Sequence, residues 1–244
     1  MLVNNLLFQG LLLVAMVAAN AVSNQFSCGP LAYGLSAEDC EYMAAIGMAG
    51  QGQNAIGERD AGIWIGSEGP NTFTFVNTAE VPVTVIVWYR AEGDDRSSFV
   101  GARAPKISYS LPFANDAVDI SLGNEVPGGW SALYNRSTEL TPYGQINNTF
   151  GEFSTGTYAT IDVSRLVTMS GNPMTVKVSS GCVADMKTCA YACNSGTDSC
   201  GAAGTYNLLN CRGTNAVQSI DPSGDPTGGC QGWTDGGHVD IMLA

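Results

Sequence analysis

The sequence predicts an all-β protein: a sandwich or barrel of short strands with a small disulfide-rich lobe and a short N-terminal helical extension. Three observations carry this. β-Branched and aromatic runs recur from residue 71 to about residue 180 at roughly ten-residue spacing, separated by Gly, Pro, Asn or Asp. Glycine is abundant (30 of 244 residues), and charged residues make up only 13% against 45% apolar, a mix that suits tight turns around a real core. Six of the eight cysteines crowd into residues 182–230, where apolar residues thin out.

Residues 1–21 hold an apolar run, Leu11–Ala19, ending in the small-x-small sequence Ala19-Asn20-Ala21. The run is too short to span a bilayer, so it predicts a signal peptide rather than a membrane span, although no Lys or Arg precedes it. The expected location is secreted: extracellular or cell wall. Residues 22–70 are expected to form an N-terminal extension. In it, Ser36 caps a helix over "SAEDCEYMAAIGM", with Asp39 three residues on, and the Gly-rich "AGQGQNAIGERDAG" follows as a loop.

The domain proper is expected over 71–244. "TFTFVN" (Thr72–Asn77) and "VPVTVIVWYR" (Val81–Arg90) are strand runs split by a short polar turn, which predicts a hairpin. "KISYSL", "AVDISL", "GWSALYN", "TFGEF", "YATIDVS" and "PMTVKVS" give further strands, and "HVDIMLA" a last one. Residues 180–230 are expected to form the lobe, held by its crosslinks.

The cysteines are Cys28, Cys40, Cys182, Cys189, Cys193, Cys200, Cys211 and Cys230. An even number in an exported chain predicts up to four disulfides, whose pairing the order alone does not fix; Cys28 and Cys40 are near enough to pair locally. Zinc is the weaker reading, because no C-x-x-C pair occurs and the single histidine, His238, lies beyond the last cysteine. Asn135-Arg-Ser and Asn147-Asn-Thr are glycosylation sequons.

A net charge of −12 excludes nucleic acid and anionic lipid as natural partners, leaving neutral polysaccharides or a secreted protein. A monomer without cofactor or metal is expected. No G-x-S-x-G elbow occurs, and the lone His238, in an apolar strand, suits a structural role. "GMAGQG" near residue 50 lacks the strand and the lysine of a phosphate loop, and "GERDAG" and "EGDDRSS" are most simply solvated charge clusters. Trp130 and Trp233, each beside glycine, are sugar-stacking candidates if exposed and core residues otherwise.

Several segments in order resemble the thaumatin-like proteins, which include osmotins and fungal secreted relatives. They are "NTFTFVNTAEVPVTVIVW", "GGWSALYN", "YGQINNTFGEF", "YATIDVSRLVTMSGNPMTV" and "GDPTGGCQGWTDGGHVDIML". The resemblance spans about residues 71–244 and implies a β-sandwich beside a cysteine-rich lobe. It points to a divergent, reduced-cysteine, fungal-type member, since family members often carry sixteen cysteines. It also implies an acidic cleft linked to β-1,3-glucan binding and, in some members, to weak glucan hydrolysis. Carried over by position, the cleft Glu falls on Glu152 and the first Asp on Asp162. The second Asp falls near Thr168 or Met169, and the Arg falls at Gln145, so both are lost; Asp225 or Asp221 is the further acid. Hydrolysis needs one carboxyl protonated and another ionised at a set separation, and nothing in the sequence drives the two apart. The expectation is therefore a secreted protein that binds β-1,3-glucan or another neutral cell-wall glycan without strong catalysis. The alternatives are a secreted protein-interaction module (effector or inhibitor) and a weak endo-β-1,3-glucanase. The plainest reading of Glu152 and Asp162 is two solvated or amide-bonded strand carboxylates.

Overall fold

The computed structural model describes residues 26–57, 62–90, 105–194 and 196–244. The expected signal peptide and most of the "GERDAG" and "EGDDRSS" clusters lie outside them. One helix, α1 (Ala37–Ala45), precedes fifteen strands among the described residues. These are β1 (Ile63–Ile65), β2 (Asn71–Asn77), β3 (Val83–Tyr89), β4 (Ile107–Leu111), β5 (Ala117–Leu122), β6 (Pro127–Tyr134), β7 (Phe150–Ser154) and β8 (Thr160–Ser164). They continue as β9 (Met174–Val178), β10 (Val183–Asp185), β11 (Ala190–Cys193), β12 (Tyr206–Leu209), β13 (Ala216–Ile220), β14 (Pro226–Cys230) and β15 (Gly237–Leu243).

Two sheets form the all-β sandwich. The six-stranded sheet runs β1-β5-β2-β15-β9-β10, and the larger one β12-β11-β8-β7-β6-β3-β4, with the β13–β14 hairpin joined to β8. The last strand, β15, enters parallel to β2, pairing Val239 with Phe73.

The expected β2–β3 hairpin does not form: β2 pairs with β5 and β15, and β3 with β4 and β6. Burial gives the reason. β2 buries alternate residues, as a strand with one wet face does, whereas six consecutive residues of β3 are buried on both faces. The link also carries Pro82, which has no N–H for a ladder. The strand β1, not expected from the sequence, lies within the segment read as extension and forms an edge of the six-stranded sheet.

Between the sheets, Phe73 lies 5.3 Å from Phe153, 5.8 Å from Trp130 and 5.9 Å from Trp233, ring to ring. Trp130 and Trp233 are thus core residues, and neither is a stacking platform. Glycines make room for the indoles. A Cβ on Gly151, the cross-strand partner of Trp130, would stand 1.9 Å from its ring. On the opposite face of the same sheet, a Cβ on Gly129 would stand 2.7 Å from Trp88.

The extension covers part of the outer face of the larger sheet. Leu35, Cys40, Met43 and Met48 pack on Ile86, Trp88, Leu133 and Phe150 in a second apolar cluster. Ser36 caps α1 by accepting from the Asp39 N–H at 3.1 Å. The buried Asp39 carboxylate instead fastens the helix to the sandwich, accepting from Ser110 Oγ at 2.5 Å and pairing with Arg136 Nε at 2.8 Å. "GMAGQG" braces this layer: Gln51 Nε2 donates to Pro30 O at 2.7 Å, and Gln51 Oε1 accepts from Ala32 N at 2.8 Å.

All eight cysteines pair, as Cys28–Cys40, Cys182–Cys230, Cys189–Cys211 and Cys193–Cys200. Cys182, Cys189 and Cys230 lie close together, but each is spent in a bridge. The cysteine-rich lobe is stitched onto the sheet, because β11 runs parallel to β8 and Cys230 of β14 pairs with Ile161. No helix among the described residues is long and apolar enough to cross a membrane.

Candidate functional site

Strand periodicity decides where the two acids point. Phe153 and Ile161 belong to the inter-sheet core, so Glu152 and Asp162 project from the other face of β7 and β8. The register pairs Glu152 directly with Asp162, a relationship that brings Cβ atoms to about 5 Å. It continues through Gly129 to Trp88, so Trp88, Gly129, Glu152 and Asp162 form one row across four adjacent strands. Gly129 leaves the space over which the Trp88 ring lies.

Both acids line a recess of about 220 Å³ with Arg90, Pro127, Phe153, Ser154, Thr160 and Tyr191. Asp162 is 6% exposed, and its Oδ1 is buried with no hydrogen-bond partner in the protein. Burial pushes the Glu152 carboxyl up to about 7, with Arg90 pulling the other way. Asp162 rises well above the usual range, first through burial and then through the Glu152 charge. Two like charges side by side do not both ionise readily, so the pair retains a proton into near-neutral solution.

Tyr191 and Tyr206 extend the site toward the lobe, their rings 6.0 Å apart and edge-on. The Tyr191 hydroxyl is raised by burial, then by Asp162 and Glu152; that of Tyr206 by burial, then by Asp225, Asp221 and Glu152. Asp225 does not line the recess. It accepts from Gly204 N at 3.3 Å and acts on the Tyr206 hydroxyl. Asp221 accepts from Ser223 N at 2.8 Å and Asp225 N at 2.9 Å, ordering the β13–β14 turn.

The guanidinium in the recess is that of Arg90, one residue beyond β3. Gln145 itself closes the Thr141 turn, where its N–H donates to Thr141 Oγ1 at 3.3 Å. Thr168 is buried, its Oγ1 2.9 Å from Ser170 Oγ. His238 lies on the solvent side of β15, with Nδ1 2.9 Å from Thr72 Oγ1 and Nε2 3.0 Å from Asp240. Asn135 and Asn147 are both exposed on the β6–β7 connection. Sequence reasoning missed Arg90 and Tyr191. The alternation of "VTVIVWYR" places Arg90 on the face of Trp88, whereas no local signal shows that β11 would join β8 in parallel.

No family model matches the chain, and no curated protein matches it. Among solved structures, 15 chains match. One is the thaumatin-like xylanase inhibitor TLXI, at 16% identity and a TM-score of 0.33, covering 70% of this chain and 98% of that one.

Proposed function

We propose that this is a secreted glycan-binding protein of the cell wall or apoplast, which holds β-1,3-glucan or another neutral polysaccharide at the Glu152–Asp162 recess without strong catalysis. The observation that carries this reading is the direct facing of Glu152 and Asp162 beside Tyr191 in an open recess. Carboxyl oxygens side by side accept hydrogen bonds from neighbouring sugar hydroxyls, and an aromatic wall suits the apolar face of a sugar ring. Four disulfides fit an oxidising, extracellular setting. Glycoside hydrolysis needs one carboxyl held protonated and the other ionised. Here burial raises both carboxyls, so the pair shares one proton and neither residue is set apart as acid or as base.

Retention on insoluble β-1,3-glucan at high salt tests the reading. The wild type is retained, and Glu152→Gln with Asp162→Asn is not. Equal retention of both removes the recess as the site, and retention of neither moves recognition to a protein partner on the extension or the lobe. Reducing sugar released by the wild type but not by Glu152→Gln makes the protein a glucanase instead.

A further inference from the structure

We propose that the recess selects a protonated 2-amino sugar, such as a unit of deacetylated chitin, over a neutral hexose. This rests on the reading of the recess as a sugar site and changes the sugar it prefers.

Groups from several elements surround the pair. Glu152 comes from β7, Asp162 from β8, Tyr191 from β11 and Arg90 from the end of β3, while Tyr206 of β12 lies edge-on to Tyr191, with Asp221 and Asp225 of the β13–β14 turn acting on Tyr206 rather than on the pair. The neighbouring β6 brings only Pro127 and Gly129. Two carboxyls thus face each other beside the Tyr191 ring, with one guanidinium in the same recess. That guanidinium acts on Glu152. Among the described residues Asp162 makes no ion pair, and its Oδ1 is buried without a partner while the side chain lines the recess. Apart from the proton shared with Glu152, no charged donor among the described residues reaches that oxygen.

A sugar hydroxyl brings one neutral donor. An ammonium brings three donors and a charge, and charge-assisted hydrogen bonds are about twice as strong as neutral ones. Tyr191 adds an aromatic ring that attracts a cation. The charges balance simply. The empty pair shares one proton; the ligand ammonium takes its place, and that proton leaves to solvent. The filled site therefore carries the same net charge as the empty one.

Calorimetry at pH 6 and about 0.15 M salt tests this with three probes: a glucosamine hexamer, its N-acetylated counterpart and a β-1,3-glucose hexamer. The amine hexamer is expected to bind about tenfold tighter than either neutral one. Comparing two buffers of different ionisation heat should show about one proton released per site for the amine alone. Asp162→Asn and Glu152→Gln, which preserve shape, should each erase the preference. Equal affinity for amine and N-acetyl hexamers overturns the proposal, as does a preference that persists in both variants, which would trace to the general surface charge. Should a substitution unfold the protein, proton release by the wild type still decides. Binding of the neutral hexamers through Asp162 with no amine preference sinks this inference alone and leaves the proposed function standing. Failure of all three hexamers sinks both.

Discussion

Asn54 pairs with Ser108 through its side chain as a strand would through its backbone: Nδ2 donates to Ser108 O at 2.7 Å, and Oδ1 accepts from Ser108 N at 2.9 Å. β4 is the last strand of its sheet, so the amide closes an edge otherwise open to another chain. Ser110 N is closed in the same way by Gly34 O at 2.9 Å. Asn54 itself has φ +47°, a conformation asparagine tolerates better than most residues.

Asn54→Ala therefore leaves a buried N–H and a buried C=O unpaired, and should cost about 2–4 kcal/mol. Urea unfolding measures it, and light scattering should show a growing dimer or aggregate as the β4 edge opens. A midpoint within error of wild type would mean that water replaces the amide freely.

The acid pair fixes a pH dependence. A carboxyl whose pKa is raised by folding is bound to its proton more tightly in the native state, so its contribution is fully present below the unfolded value and is lost as pH rises through the folded one. For Glu152 that window runs from 4.5 to about 7. Relative to the double variant Glu152→Gln, Asp162→Asn, the wild type should lose stability across it, by about 3 kcal/mol from Glu152, with Asp162 adding to the loss. Melting scans from acid to neutral pH check this, and parallel curves for the two proteins refute it.

The bridges differ in what they restrain. Cys182–Cys230 closes a separation of 48 residues and Cys193–Cys200 one of 7. On the chain-entropy model, removing the first costs about 1.5–2 kcal/mol more than removing the second. Paired Cys→Ala variants compared by denaturant unfolding test the ordering, and the reverse order would show that local packing outweighs loop closure.

Most strands were legible because their residues alternate or run apolar with turn residues between them; β5 begins and ends where "AVDISL" does. The β2–β3 hairpin was misjudged because sequence adjacency says nothing of which sheet a strand joins when both of its edges find better partners. Within the site, the facing of Glu152 and Asp162 followed from two runs joined by a short link. Arg90 and Tyr191 did not follow, because one comes from a strand two places away across the sheet and the other from a parallel crossing. The fates of Trp130 and Trp233 turned on Gly151 and on the Phe73 cluster, relationships between strands that no local window contains.

Trp88 belongs to two neighbourhoods at once, packing beneath Met43 and Cys40 of α1 while its ring overlies Gly129 beside Glu152. Selection on the helix and selection on the acids are consequently not independent. A substitution in α1 that tilts this indole would press on Gly129 and so disturb the row that carries Glu152, changing the shape of the recess without any change among the residues that line it.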